Sequence, residues 1–227
     1  MRIHPAALLA ALSLLAACQP RPPAQPRTTV PGAPAGATAY RLDPAASEFR
    51  FYLHADGPLS SVGHTHVISA HDLSGTIWLQ SPPEQSSCDI ELPVRNLVVD
   101  DPRERAAAGG EFAEPLDDSA RAGTRDHMLG ERQLDAQHFP AVLLHCRQLH
   151  VTGDSASVDV AVTVRGRESV LQVPVKWRHD DDALEIEGEF DFRHTDVGLV
   201  PYSLMFGALR VGDVIHARLT LLARRGS

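Results

Sequence analysis

Four groups of residues in this 227-residue chain have types and spacings that chemistry uses. Val62-Gly63-His64-Thr65-His66-Val67 sets two imidazoles two residues apart, and His71 follows. On an extended backbone, side chains i and i+2 share a face. Two imidazoles on one face can chelate zinc or copper if a third ligand joins them, for which His127 and His138 are the candidates. The same pair can simply hydrogen-bond within a turn, or meet the polar head of a bound lipid. Thr124-Arg125-Asp126-His127 gathers three ionisable groups. It reads either as an acid–base cluster or as a solvated helix start capped by Thr124 or Asp126. Cys88 and Cys146 are a disulfide candidate or two separate buried thiols. Leu15-Ala16-Ala17-Cys18 is the fourth group, a lipobox whose thiol carries diacylglycerol. There is no Gly-x-Ser-x-Gly elbow, no phosphate-binding glycine loop and no Cys-x-x-Cys pair. Nothing in the chain demands a bond-breaking step, so binding rather than catalysis is expected; a histidine-based metal-binding protein or metal-dependent enzyme, and a structural envelope lipoprotein with a filled core, are the alternatives.

The lipobox sits where an export signal needs it. Met1-Arg2-Ile3-His4 is a short positive start, and Ala6 to Ala17 is apolar apart from Ser13. That run is shorter than the roughly 20 residues that span a bilayer, and suits a secretory signal. Residues 1–17 are therefore expected to be removed, leaving Cys18 acylated. Gln19 after the cysteine favours delivery to the outer membrane, facing the periplasm. The formal net charge of −8 becomes about −9 once Arg2 leaves with the leader. An acidic balance argues against nucleic acid, which needs a basic face. In an oxidising compartment the remaining even pair, Cys88 and Cys146, is free to bridge.

The elements that must position these groups are strands. Residues 18–39 form the lipidated cysteine and a linker; positions 19–38 hold six of the 17 prolines and no aromatic. They make a semi-rigid spacer rather than a core. From Tyr40 to Arg224 the pattern has period two. Phe49, Phe51 and Leu53 alternate with polar neighbours, as do Ile77 and Leu79, then Ile90, Leu92 and Val94, then Val142 and Leu144. Val158 to Val164, Leu171 to Trp177, Leu184 to Phe192 and Ile215 to Leu221 continue the alternation. Each run is a strand with one apolar and one wet face. Eight of them predict an all-β antiparallel barrel or sandwich. Aromatics are only 5% of the chain, so the apolar face is expected inside rather than toward lipid, where aromatic girdles are needed. Residues 101–140 are charged and helix-tolerant, and predict one or two short helices with Leu129 and Leu134 inward. Pairing Val94 with Pro140 would set Leu92 by Val142, Ile90 by Leu144 and Cys88 by Cys146. All then share one parity, which predicts the Cys88–Cys146 bridge.

Several stretches, in order, resemble the YceI-like, polyisoprenoid-binding family. Tyr40-Arg41-Leu42-Asp43 and Ser47-x-Phe49-x-Phe51 are similar to its opening strand, and Leu73-Ser74-Gly75-Thr76-Ile77 to its second. His138-Phe139-Pro140-Ala141-Val142, Val162-x-Val164-Arg165-Gly166 ahead of Val173-Pro174-Val175, and Arg193 to Leu199 with Val211-Gly212-Asp213 match later segments. The resemblance implies a lipocalin-like, extended antiparallel β-barrel of about eight strands with an apolar tunnel. It implies binding of a long isoprenoid, such as a quinone or a polyprenyl lipid. Phe51, Ile90, Leu92, Val142, Leu144, Val162, Val175, Ile186 and Phe190 are then the expected lining. Gly63-His64-Thr65-His66 stands where many members have a Gly-x-Phe after the first strand, and His64 and His66 are expected at one mouth, orienting the ligand's polar end.

Overall fold

The computed structural model describes residues 33–226. Cys18 and most of the linker lie outside the described residues. Twelve strands follow in chain order: β1 Thr38–Leu42, β2 Glu48–Asp56, β3 His66–Ala70, β4 Ser74–Leu79, β5 Ser87–Pro93 and β6 Val98–Val99. Then come β7 Ala141–Thr152, β8 Ser155–Val164, β9 Arg167–His179, β10 Ala183–Arg193, β11 Ser203–Leu204 and β12 Leu209–Arg225. Two short helices interrupt them, α1 Pro102–Ala108 and α2 Asp118–Leu129. Every pairing is antiparallel.

The ring β1-β4-β5-β7-β8-β9-β10-β12 closes through β12 onto β1, giving an eight-stranded barrel. Strands β2, β3 and β6 extend it beyond β12. They are continuations rather than extra staves. β1 and β2 lie end to end along β12, whose last residues face Tyr40–Leu42 and whose middle faces Glu48–Leu53. Asp72, at φ 57°, marks the break between β3 and β4.

Turn chemistry sets the hairpins. Arg165 and Gly166 join β8 to β9 with φ of 51° and 73°, the two positive values a tight two-residue hairpin turn requires. In β10, Gly188 allows close approach: a Cβ there would lie 2.8 Å from the Pro174 carbonyl oxygen. The apolar parity expected from the sequence points inward in every run, and the buried cluster runs from Tyr40 through Val158–Val164 to Leu221.

The expected register between β5 and β7 is the one found. Leu92 faces Val142, Ile90 faces Leu144 and Cys88 faces Cys146, with the Val94 N–H donating to the Pro140 carbonyl at 2.9 Å. Cys88 and Cys146 form a disulfide with Cα atoms 4.8 Å apart, across 58 residues of sequence. Closing a loop of that length is worth about 2–4 kcal/mol, mainly by restricting the unfolded chain.

The insert differs from expectation in its caps. Asp101 starts α1, accepting from the Arg103 and Glu104 N–H groups. Asp117 starts α2, accepting from the Ala120 N–H. Thr124 and Asp126 therefore cap nothing: they lie inside α2, where the Thr124 hydroxyl donates back to the Ala120 carbonyl at 3.0 Å. The two earlier aspartates fit N-cap chemistry as well and come first.

Candidate functional site

Inward-pointing alternate residues of the ring leave a cavity of about 290 Å³ along the barrel. An apolar cavity of about 150 Å³ already stays dry and accepts a small apolar guest. All nine lining residues expected from the sequence line it: Phe51, Ile90, Leu92, Val142, Leu144, Val162, Val175, Ile186 and Phe190. Cys88 and Cys146 contribute to the same wall. One end is bounded by Leu79, Pro83, Ser86, Ser87 and Trp177, near the β4–β5 turn. The other is bounded by Met128, Gln133, Leu134, His194, Val197 and Leu199, where the insert meets the segment after β10. Among the described residues, no Asp, Glu, Lys or Arg lines the cavity.

The imidazole at the cavity end is His194, which the sequence reading passed over. It is 7% exposed, just past β10, and its Nδ1–H donates to the Asp213 carbonyl at 3.1 Å. Burial holds its pKa below the ordinary histidine value, against the opposing pull of the Asp213 and Gly212 carbonyls and the Asp213 charge. A histidine kept neutral in the fold and charged when unfolded makes stability rise with pH. That contribution is complete above about pH 6.5, the unfolded value, and is lost as pH falls toward the lowered folded value. His194→Leu should therefore flatten the stability profile between pH 7 and pH 5. Urea unfolding of both forms at the two pH values checks this; parallel losses in both would contradict it.

His64 and His66 are not where the sequence placed them. Their rings are neighbours, with centroids 6.5 Å apart, but neither lines the cavity. His64 is exposed before β3 begins. His66 Nδ1 lies 2.7 Å from a carboxylate oxygen of Asp100. Asp100 follows β6 with φ 53°, is fully buried, and also accepts from the Val67 N–H at 2.8 Å and from Arg105 at 2.7 Å. Asp100 thus holds the His66 ring beside Arg105 of α1, outside the cavity wall.

The expected third metal ligands are elsewhere too. His127 stacks on Tyr202 with ring centroids 4.5 Å apart, and His138 Nδ1 lies 2.8 Å from Asp135. Among the described residues, the group spaced for a metal is Glu48, His71 and Glu104. Arg50 already supplies a cation there, with Nη2 2.9 Å from both Glu48 oxygens. That geometry is an ion-pair cluster joining β2 to α1.

The chain matches the YceI-like domain model over residues 40–222. No curated protein matches it closely enough to count as a relative. Among solved structures it resembles BcnA of Burkholderia cenocepacia, at 14% identity and a TM-score of 0.58, over 80% of this chain and 99% of that one. It also resembles a polyisoprenoid binding domain from Saccharophagus degradans implicated in plant cell wall breakdown, at 11% identity and a TM-score of 0.53, over 83% and 99%. A Campylobacter jejuni YCEI protein matches at 8% identity and a TM-score of 0.51, over 70% and 85%. At these identities the likeness establishes the fold.

Proposed function

The chain belongs to the YceI-like family, and on that premise we propose that it is a lipid-anchored envelope protein holding a long isoprenoid, or a similar apolar lipid, inside its barrel. The observation that carries this reading is the wall of the cavity. It is aliphatic and aromatic along its length and bears no ionised carboxylate, ammonium or guanidinium. Small-molecule sites are largely apolar with a few polar groups for orientation, and here Gln133 and His194 stand at one end with Ser86 and Ser87 at the other. Burying a chain there yields roughly 25 cal/mol per Å² of apolar surface.

The same wall sorts head groups. A phosphate has no cation to meet inside, and a buried unpaired charge is very costly. A neutral head such as a quinone fits within the lumen, whereas a polyprenyl phosphate would keep its head outside. The protein binds rather than transforms its guest. Acylation at Cys18 would hold it on the outer membrane, facing the periplasm, with the proline-rich linker as spacer.

Native mass spectrometry of the full chain extracted from membranes tests the reading. A co-purified isoprenoid at about one per chain is expected. Stoichiometric metal without lipid, or neither, would overturn it. In parallel, Cys18→Ala should leave the chain uncut or soluble; a mature form still fractionating with membranes would remove the anchor from the proposal.

A further inference from the structure

The described residues carry a concentration of exposed apolar side chains at one end of the barrel. Val200, Leu204, Met205 and Phe206 are exposed in the segment between β10 and β12, Phe206 fully so. Val62 is exposed in the turn between β2 and β3. The two segments touch: the Leu59 N–H donates to the Ala208 carbonyl at 2.9 Å. Met205 and Phe206 both take positive φ, 50° and 58°, a region that bulky L-residues rarely enter. The loop thereby keeps an outward phenylalanine at its tip.

The two segments themselves are free of formal charge, and the exposed Asp56–Arg210 pair borders them. Residues 57–63 and 199–209 contain no Asp, Glu, Lys or Arg, in a chain that is 22% charged and net acidic. The patch also adjoins the cavity. Val200 directly follows Leu199, which lines it, and the Val200 carbonyl accepts from Gln133, another lining residue, at 3.0 Å.

We propose that loop 199–209, with turn 57–63 beside it, is a bilayer-contacting tip that dips into the membrane interface at the cavity mouth. The proposal rests on the lipid-binding reading and adds the route by which the guest enters. The cost of bringing an apolar chain through water grows with every methylene exposed. A mouth seated in the interface removes that crossing. Amphipathic and apolar surfaces seat in the headgroup region by burying such side chains, and an uncharged tip does so without the repulsion an acidic face would meet at anionic lipid.

The tether permits this pose. β1 enters beside the last residues of β12, with Tyr40 facing Arg225, whereas the tip precedes Leu209 at the first residue of β12. The linker thus joins the end remote from the tip. β12 has 17 residues, so at ~3.3 Å per residue and a tilt of about 35–45° it rises roughly 40–46 Å along the barrel axis. The chain turns at Pro34–Ala37, where the Ala37 N–H donates to the Pro34 carbonyl, and the ~16 residues from Cys18 to Pro34 reach about 50 Å at ~3.1 Å per residue if polyproline-like. The linker is long enough for the tip to fold back onto the membrane that holds the anchor.

The test uses the full chain in phosphatidylcholine vesicles containing brominated lipid, with Phe206→Trp as reporter over the native Trp78 and Trp177. The emission added by the substitution should be quenched at least twofold by shallowly brominated lipid. Unquenched, water-exposed emission would overturn the proposal. So would a crosslinked dimer that Phe206→Asp dissolves, since a second copy would then cover the tip. In a second measurement, Phe206→Asp should slow transfer of an isoprenoid quinone from vesicles at least tenfold, while leaving quinone uptake from detergent unchanged. Equal transfer rates would count against the tip. A chain that takes up no quinone under either condition would sink the lipid-binding reading, while the quenching result still reports on the tip by itself.

Discussion

Val162→Trp should abolish retention of an isoprenoid quinone while the barrel still folds. Val162 sits near the C-terminal end of β8, opposite Leu144 on β7 and Ser169 on β9, with its side chain in the cavity wall and 8% exposed. An indole there enters a lumen of about 290 Å³ and takes the volume a guest would occupy. Every 100 Å² of apolar contact denied to the guest removes about 2.5 kcal/mol, so even partial blocking should cost more than tenfold in affinity. Overpacking costs about 1–3 kcal/mol of stability where a core is full, and the cavity gives the ring somewhere to go. Val170→Trp is the matched control. Val170 lies on the adjacent strand opposite Ala161, is exposed to solvent and is absent from the wall. The expected result is full quinone retention by the control and none by Val162→Trp, with matching circular dichroism. Retention by both would mean that the guest does not sit in the barrel.

Much of this geometry is legible in the sequence alone, because one physical rule governs a closed barrel. The lumen wants apolar groups and the outside wants polar ones, so each strand alternates and the parity can be read. Val158, Val160, Val162 and Val164 show it most plainly, and the nine lining residues follow from it. The register that joins Cys88 to Cys146 was legible for the same reason, since only one slip in two keeps both apolar sets inside. β3 was not, because it breaks the rule: Val67, Ile68, Ser69 and Ala70 are all buried. Its outer face is covered, with the Ser69 hydroxyl bonded to Glu104 of α1 and with Phe112 packed on Tyr52 of the neighbouring β2. A strand covered on both faces has no alternation to read, and its histidines then stand out for the wrong reason. Bulges hide parity in a different way. After the irregularity between Cys146 and Gln148, Leu149 and Val151 point inward on the opposite parity from Cys146. His194 carried no usable signal, because it follows a strand end and only its burial marks it.

Breaking the ion network under α1 should cost more stability than removing any surface pair. Arg105 and Asp100 are 3% and 0% exposed. The Arg105 guanidinium donates to Asp100 at 2.7 Å, to the Thr65 carbonyl at 2.6 Å, and to the Glu114 carbonyl at 3.1 and 2.9 Å. It therefore ties α1 to the residue just before β3, to the residue just after β6 and to the later part of the insert. Arg105→Met keeps the stem and removes the charge, leaving a buried carboxylate short of a partner. The expected loss is about 3–5 kcal/mol. Arg218→Ala, which breaks an exposed pair with Glu189, should cost less than about 1 kcal/mol. The acid limb gives an independent reading. Burial pushes the Asp100 pKa up, but the His66 hydrogen bond and charge, the Val67 N–H and Arg105 together hold it below the ordinary carboxylate value. A lowered carboxylate stabilises the fold fully above its unfolded pKa of about 3.9, and that contribution is lost as pH falls through the folded value. Without Arg105 the folded value rises toward the unfolded one, so less of this contribution is present at neutral pH and acid unfolding should begin at a higher pH. Urea unfolding at pH 7, with acid titration followed by circular dichroism, measures both effects. An Arg105→Met protein as stable as Arg218→Ala, with an unmoved acid midpoint, would show that the insert is held by its apolar contacts instead, chiefly Phe112 on Tyr52 and Met128 and Leu134 at the cavity mouth.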